Sequence, residues 1–433
     1  MPPPSSSTTP RDQPRAAHAP LRPRDQFADV GRCGSTGRGV RLCYNTFGSS
    51  RDPCVLLVVG LASPALFWDD RWCTTLALAG PFFVVRYDNR DVGCSTHFDD
   101  DTAGKTVSHG STSYMRFAYA VLRPGKRTIP EVYTLMDMAA DAFGLLDALR
   151  IAACHLVGTS MGGTVIQCMA ISHPERVLSL SLLSTHTNSP HTQWPSLRDM
   201  MSFIALMPKS TSAKYAARIA GAANAEERQR LCAERDAERV EVYAASFSKL
   251  LERLAGDTKK YAFDRAAAQR QMTRVFRRSL YVNGGPRQFL ALLNAPSRDE
   301  DLQRCITSVP PGGARETTPV GGSNPPIPSH VAASAPLYVP TIIIQGDRDP
   351  LVPAGNAKHL ASIIRGSRLY VMEGMGHTLI PALRDTYVRL IRDNIRVGEA
   401  ASRSPARKAA VAAAAAAAKK KKSAARPAVA SKL

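Results

Sequence analysis

Residues 153–170 of the chain read ACHLVGTSMGGTVIQCMA and combine a short apolar run with the pattern G-x-S-x-G. The run from Cys154 to Val157 is typical of a buried parallel strand, and the apolar spacing after the pattern is typical of a helix with one face against a sheet. A turn from strand to helix in so few residues strains its central residue and leaves room only for glycine at Gly158 and Gly162. The pattern therefore predicts that Ser160 is a nucleophile at a helix N-terminus, where N–H groups favour developing negative charge.

The pattern alone does not identify a nucleophile, because five positions with two glycines also recur by chance in long chains. The residues before and after it must be considered. An ordinary glycine-rich turn is the alternative interpretation. The apolar strand before the turn and the helix that ends at His173-Pro174 favour the nucleophile.

Composition indicates a globular chain with charged ends. The chain has 433 residues, of which 44% are hydrophobic, and a net charge of +20. Residues 1–24 carry +3 and residues 397–433 carry +8, which leaves +9 for the remainder. Because this remainder holds no basic stripe interleaved with aromatic residues, the sequence does not favour nucleic-acid binding.

The cysteines and the hydropathy of the chain argue against several classes of protein. Nine cysteines occur without a C-x-x-C pair, which argues against a zinc site or a disulfide framework and favours a reducing compartment. No run of about 18 apolar residues is present, so no transmembrane segment is predicted. Residues 1–28 lack the apolar core of a secretory signal, and we predict a disordered extension there, with an organelle transit segment as the alternative.

Residues 397–433 are dominated by alanine and lysine and are predicted to form a disordered tail. The tail ends in Ser431-Lys432-Leu433, the address that a peroxisomal import receptor reads at an accessible C-terminus. The sequence therefore predicts localisation to a peroxisome or a similar microbody, with the import receptor as a partner.

Short apolar runs alternate with helical patterns between the two ends, which is typical of an α/β fold with a mainly parallel sheet covered on both faces. The predicted strands are Arg41–Phe47 as an edge strand, then Val55–Val59, Phe82–Tyr87, Cys154–Val157, Leu178–Leu183, Thr341–Gln345 and Leu369–Met372.

The strand pattern also predicts the domain organisation. Amphipathic patterns at 186–304 predict a helical cap inserted after the sixth strand, followed by a Pro/Gly-rich loop at 305–335. The core then consists of residues 29–185 and 336–396.

A serine nucleophile needs a base and a carboxylate that orients the base. Asp347 and Asp349 follow the strand Thr341–Gln345, and His377 follows the next strand, so all three are expected at the carboxyl edge of the sheet. Asp347 can instead close its turn by bonding its own backbone, so Asp349 is the preferred acid. For His377 the alternative is a loop or capping histidine, whereas His155 and His173 are predicted to be structural.

Acyl transfer also needs N–H donors for the oxyanion that forms. We expect one donor from Met161, directly after the nucleophile, and a second from Leu61 in the loop after the strand Val55–Val59. Backbone donation leaves the Leu61 side chain free to line an acyl pocket.

Together these motifs resemble the α/β-hydrolase fold superfamily, and they are most similar to its aclacinomycin methylesterase-like and cofactor-free haloperoxidase-like members. The similarity covers about residues 39–184 and 340–395. The resemblance implies that Ser160, Asp349 and His377, which stand in the family's chain order, form the catalytic triad. It also implies an oxyanion hole at Leu61 and Met161.

Two further features belong to this resemblance. Many relatives carry His-Gly where this chain has Val59-Gly60, so a polar side chain near the oxyanion donor is missing. Asp88, Arg90 and Ser95 match the family motif after a core strand, and we interpret them as structural.

The sequence therefore predicts a serine hydrolase that cleaves a small hydrophobic or lipid-like carboxylic ester through an acyl-enzyme, with no metal or organic cofactor implied. One alternative is a peroxisomal acyl-CoA thioesterase, in which Arg277 and Arg278 could hold the phosphates of the CoA substrate. The other alternative is a catalytically inactive protein that uses the pocket only for binding.

Overall fold

The computed structural model of the protein describes residues 23–99, 131–206, 212–310, 336–405, 407–409 and 411–412. Its centre is an eight-stranded sheet with the order β1-β2-β4-β3-β5-β6-β9-β10. The strands are β1 (Gln26–Arg32), β2 (Gly39–Phe47), β3 (Cys54–Val58), β4 (Phe83–Tyr87), β5 (Cys154–Thr159), β6 (Val177–Leu183), β9 (Thr341–Gly346) and β10 (Arg368–Met372).

The sheet is mainly parallel, as the sequence predicts. All neighbouring strands from β4 to β10 run parallel, while β2 is antiparallel to both β1 and β4. The prediction of an edge strand at Arg41–Phe47 was wrong, because β1 pairs along its outer side. The sequence prediction missed β1 because its residues are mostly exposed or half-buried and lack an apolar run.

Helices cover both faces of the sheet. The core helices are α1 (Asp70–Ala79), α2 (Leu135–Ala148), α3 (Met161–Ser172), α10 (Gly355–Ile363) and α11 (Arg384–Ser402). Strand β3 shows how the faces separate: Leu56 and Val58 join the cluster under α2, α3 and α10, whereas Val55 and Leu57 join the cluster under α1 and α11. A strand that is buried on both faces has a continuous apolar sequence, and for this reason β3 could be predicted from the sequence.

The predicted cap follows β6 and precedes β9. Its helices are α4 (Leu197–Leu206), α5 (Ser212–Ala220), α6 (Ala225–Arg253), α7 (Arg265–Arg278), α8 (Gly285–Leu293) and α9 (Asp299–Cys305), and two short paired strands, β7 (Ile306–Thr307) and β8 (Leu337–Tyr338), come after it. Helices α6 and α7 pack together over a third apolar cluster, which Leu66 from the core also joins. The cap therefore packs on the loop that follows β3.

The ordered part of the chain extends beyond two predicted boundaries. Strand β1 begins at Gln26, inside the segment 1–28 that was predicted to be disordered. Helix α11 continues to Ser402, beyond the predicted start of the tail at residue 397, because Gly398 fits closely against the Leu178 carbonyl group. Farther along, buried Arg407 donates hydrogen bonds to the carbonyl groups of Tyr338 and Val177.

Several predictions lie outside the described residues. They concern residues 1–22, most of the loop 305–335, and nearly all of the C-terminal tail with Ser431, Lys432 and Leu433. Among the helices of the described ranges, none combines the length and hydrophobicity that a bilayer span requires.

The loop after β4 carries buried acids that hold the cap to the core. The Asp91 carboxylate accepts two hydrogen bonds of 2.8 Å from the guanidinium of Arg287 in α8, and a third of 2.7 Å from the Tyr133 hydroxyl. Asp88 accepts from the backbone N–H groups of Ala65 and Cys94. This arrangement agrees with a structural role for the motif after the strand.

Replacing Asp91 by Asn tests whether the Asp91–Arg287 ion pair holds the cap to the core. Because the change removes the buried counter-ion of Arg287 and leaves only the partly exposed Asp99 carboxylate at 3.1 Å, we expect the free energy of unfolding to fall by up to about 3–5 kcal/mol. Urea titration followed by circular dichroism measures it. Glu238→Gln, which disrupts the exposed Lys214–Glu238 pair, is the matched control and should change little. Equal effects of the two substitutions would contradict a stabilising role for the Asp91–Arg287 ion pair.

Candidate active site

Ser160 occupies the strained turn that the sequence predicts. Its φ of 54° and ψ of −125° lie in a region that residues with side chains rarely adopt. A Cβ on Gly158 would lie 2.5 Å from the Gly162 carbonyl oxygen, and a Cβ on Gly162 would lie 2.2 Å from the Val58 carbonyl oxygen. The turn between β5 and α3 is therefore possible only with glycine at both positions.

The backbone of Ser160 is held on two sides. Its N–H donates to the Leu183 carbonyl at 2.9 Å, and its own carbonyl accepts from the Thr185 hydroxyl at 2.8 Å. The hydroxyl faces the loop after β3, because a Cβ on Gly60 would lie 3.6 Å from Ser160 Oγ. Ser160 is thus fixed beside the loop that carries Leu61.

Asp349 and His377 lie together at the carboxyl edge of the sheet. His377 Nδ1 donates to Asp349 Oδ2 at 2.8 Å, and the buried carboxylate also accepts the N–H groups of Leu351 and Val352 at 2.9 and 2.8 Å. Asp347 instead accepts the N–H of Gly374 at 2.7 Å and braces the turn. The structure thus brings Asp349, and not Asp347, to the imidazole, and because Nδ1 carries the proton toward Asp349, Nε2 is the nitrogen that can accept one.

His377 follows β10, which stands three positions from β5 in the sheet. The loop after β10 crosses the end of β9, where a Cβ on Gly346 would lie 2.2 Å from the Met375 carbonyl oxygen. At the end of α6, the Leu254 carbonyl accepts the His377 N–H at 2.7 Å. The described residues contain no hydrogen bond between Ser160 Oγ and His377, a contact that often tightens only when substrate binds.

The two residues that the sequence predicts as oxyanion donors, Leu61 and Met161, lie in the loop beside Ser160 and directly after Ser160. Met161 is the first residue of α3, and among the described residues neither its N–H nor that of Leu61 donates to a backbone carbonyl. The loop that carries Leu61 is held from the cap, since Gln288 Oε1 accepts the Ala62 N–H at 2.8 Å and Gln288 Nε2 donates to the Arg90 carbonyl at 2.7 Å.

His186 is a site neighbour that the sequence did not reveal. It follows β6, and its Nδ1 accepts the Asn188 N–H at 3.1 Å, which leaves the proton on Nε2. Burial, with smaller effects of Arg298 and His377, lowers the pKa of His186 to about 3, so this imidazole is neutral at ordinary pH. No local pattern marks such a residue, because its environment comes from the cap and from the loop after β10.

The other candidate histidines have structural partners. His155 is buried between Ser179 at 2.8 Å and Glu399 at 2.9 Å, and burial lowers its pKa. His173 bonds Glu175 at 3.0 Å near the surface. Within the described ranges, no group of three His, Cys, Asp or Glu side chains is arranged to hold a metal ion.

Comparison with known proteins places the chain in a family. A family model described as alpha/beta hydrolase fold matches residues 53–381, which is most of the chain. The chain therefore belongs to the α/β-hydrolase fold family, and the family prediction from its motifs is confirmed.

Two curated relatives match over nearly their whole length. Rhodomycin D methylesterase of Streptomyces sp. strain C5 is 27% identical over 80% of this chain and 92% of that protein. Rhodomycin D methylesterase of Streptomyces peucetius is 26% identical over 81% of this chain and 93% of that protein.

Solved structures show the same fold. A 2-hydroxy-6-oxo-6-phenylhexa-2,4-dienoate hydrolase from Rhodococcus sp. strain RHA1 is 16% identical with a TM-score of 0.53, covering 87% of this chain and 99% of that chain. A structure titled as a putative lipase from Acinetobacter baumannii AYE is 14% identical with a TM-score of 0.54, covering 87% and 92%.

Asp349→Asn and Asp347→Asn form a matched pair that tests the assigned acid. Asn at 349 cannot hold His377 in the proton-accepting tautomer, so we expect fluorophosphonate labelling of Ser160 to slow by about 10³- to 10⁴-fold. Asn at 347 keeps an acceptor for the Gly374 N–H and should slow labelling by less than about tenfold. Mass spectrometry of the labelled protein measures both rates. Equal slowing would contradict the assignment.

Proposed function

We propose that the protein is a carboxylic ester hydrolase that works through an acyl-enzyme on Ser160, with His377 as the base and Asp349 as the orienting acid. The observation that carries the proposal is the 2.8 Å hydrogen bond between Asp349 and His377 at the sheet edge where Ser160 stands on its strained turn. The two methylesterases support the reaction type, because they match most of this chain and nearly all of their own length.

The proposed reaction follows from the position of each group. His377 Nε2 takes the Ser160 proton as Oγ attacks the ester carbonyl, and the N–H groups of Leu61 and Met161 stabilise the oxyanion. Asp349 stabilises the imidazolium, which then gives its proton to the leaving alcohol. Water activated by His377 attacks the acyl-enzyme and releases the acid. No step needs a metal or an organic cofactor.

A small, hydrophobic or lipid-like ester is the substrate class we propose. The side chain of Leu61 is apolar and half-buried, and Met161, the residue directly after the proposed nucleophile, is buried. Apolar walls with a few convergent polar groups are typical of pockets for such ligands.

The geometry favours the oxygen ester over an acyl-CoA thioester. Arg278, which could have held a CoA phosphate, instead pairs with Asp25 and Asp88, both at 2.8 Å, and only 12% of its side chain is exposed. Arg277 is exposed but lies 3.7 Å from Glu241. The basic residues at the end of α7 therefore have partners within the fold.

Matched substrates test the reaction. The purified protein is given an oxygen ester and a CoA thioester of one acyl chain, and we expect kcat/KM to be at least about tenfold higher for the oxygen ester. Ser160→Ala should lower it by at least about 10³-fold. A preference for the thioester would favour the acyl-CoA thioesterase. A protein that neither turns over esters nor reacts with fluorophosphonate would be a binding protein.

Peroxisomal import through Ser431, Lys432 and Leu433 is a proposal that rests on the sequence of the C-terminus. A fluorescent protein fused to the N-terminus of the full chain should concentrate in peroxisomes of a host cell. Deletion of the last three residues should make the signal diffuse, and so should an added residue that blocks the terminus. An unchanged distribution after deletion would contradict the proposal.

A further inference from the structure

The loop after β3 forms a tight turn at residues 60–63, beside Ser160, which we call the oxyanion turn. The Ser63 N–H donates to the Gly60 carbonyl at 3.4 Å, so Leu61 and Ala62 are the two central residues of the turn. Ala62 has a φ of 53°. At the second central position of a turn a positive φ is normally taken by glycine, because a Cβ makes this conformation costly. The turn is therefore strained directly after Leu61.

Gln288 of α8 supplies a hydrogen bond to the strained residue. Its Oε1 accepts the Ala62 N–H at 2.8 Å, and the side chain is completely buried. The start of α8 also lies close to the turn, since a Cβ on Gly285 would lie 3.2 Å from Ala62 Cβ. The hydrogen bond is therefore part of a closely packed junction between cap and core.

The other end of the same amide is bound to a fixed point of the core. Gln288 Nε2 donates to the Arg90 carbonyl at 2.7 Å. Arg90 is buried, and its guanidinium donates to the two carboxylate oxygens of Asp141 at 2.6 and 2.7 Å. The Ala62 N–H can only donate and the Arg90 carbonyl can only accept. A side-chain amide satisfies both groups, whereas a carboxylate or an apolar side chain does not.

We propose that Gln288 is a positioning residue, which holds the oxyanion turn in its strained conformation from the cap. Without this hydrogen bond the turn can relax by rotating the peptide between Leu61 and Ala62, which returns Ala62 to a negative φ. The rotation changes the backbone of Leu61 next to the N–H that we propose as an oxyanion donor. The catalytic consequence rests on the proposed hydrolase function.

The two proposed oxyanion donors then depend on different parts of the chain. Met161 begins α3 and is placed by the core, whereas Leu61 depends on α8 of the cap. An oxyanion donor acts on charge that develops in the transition state and does little for the bound ester. Loss of the Gln288 amide should therefore lower kcat and leave KM nearly unchanged.

Gln271 of α7 offers a matched control. Its Nε2 donates to the Leu66 carbonyl at 3.2 Å, so it also joins the cap to the loop after β3 through a side-chain amide. Leu66 lies beyond the oxyanion turn. Gln288→Met and Gln271→Met thus separate an effect on this turn from a general loosening of the cap.

Hydrogen–deuterium exchange of the full-length protein tests the contact without an activity measurement. In Gln288→Met we expect the amides of residues 60–63 to exchange at least about tenfold faster than in the wild type, with peptides from α8 and β3 unchanged. Gln288→Glu keeps an acceptor for the Ala62 N–H and should exchange more slowly there than Gln288→Met. Gln271→Met should match the wild type at 60–63. Unchanged exchange at 60–63 in Gln288→Met would overturn the proposal.

Ester hydrolysis by the same variants tests the catalytic consequence. Removal of an oxyanion donor costs about 10²- to 10³-fold in kcat, so displacement of one should cost about 10- to 100-fold in Gln288→Met, with KM within about twofold. Gln271→Met should retain kcat within about threefold. A raised KM with an unchanged kcat, or equal losses in the two variants, would overturn the positioning role.

A second substitution in the turn provides a rescue that loss of packing alone would not show. Glycine adopts a positive φ without strain, so Ala62→Gly in the Gln288→Met background should restore kcat by at least about threefold, whereas Ala62→Gly alone should change it by less than about twofold. Absence of rescue would overturn the role of the Ala62 strain. If exchange responds as expected but the wild type hydrolyses no ester, the hydrolase function fails and the hold on the turn stands.

Discussion

The close packing of the turn at Ser160 is the constraint on which the site depends. Backbone from β3 and from α3 occupies the space that side chains at residues 158 and 162 would need, so the serine is forced to a φ of 54°. The strained conformation is maintained because hydrogen bonds hold the Ser160 backbone on both sides. Its N–H donates to the Leu183 carbonyl, and its carbonyl accepts from the Thr185 hydroxyl. The position of Ser160 is thus set by the sheet and not by the residue's own backbone preference.

The cap takes part in building the site as well as covering it. The Leu254 carbonyl at the end of α6 holds the backbone of His377, Gln288 of α8 holds the loop beside Leu61, and Arg278 and Arg287 neutralise buried acids in the loop after β4. A rearrangement of the cap would therefore act directly on the proposed base, His377, and on the proposed oxyanion donor, Leu61.

The sequence predicts the parts of the molecule that carry a local signal. Buried strands read as apolar runs, the turn at Ser160 requires glycine, and the loop after β9 offers two acids in the order that the family uses. The sequence already favours Asp349 over Asp347, and the fold adds the partners of each: Asp347 accepts the Gly374 N–H, whereas Asp349 accepts from His377. Strand β1 and the last turns of α11 escaped prediction because their stability comes from neighbours far along the chain. The roles of Gln288 and His186 were hidden for the same reason, since each depends on contacts between the cap and the core.

A crystal structure of the protein with a phosphonate bound to the nucleophile tests the central claim most directly, because the adduct mimics the tetrahedral intermediate. The account predicts a covalent bond to Ser160 Oγ, His377 Nε2 within hydrogen-bonding distance of that oxygen, and the phosphoryl oxygen bound by the N–H groups of Leu61 and Met161. An adduct on another residue, or an imidazole of His377 that remains turned away from the bound phosphonate, would contradict it.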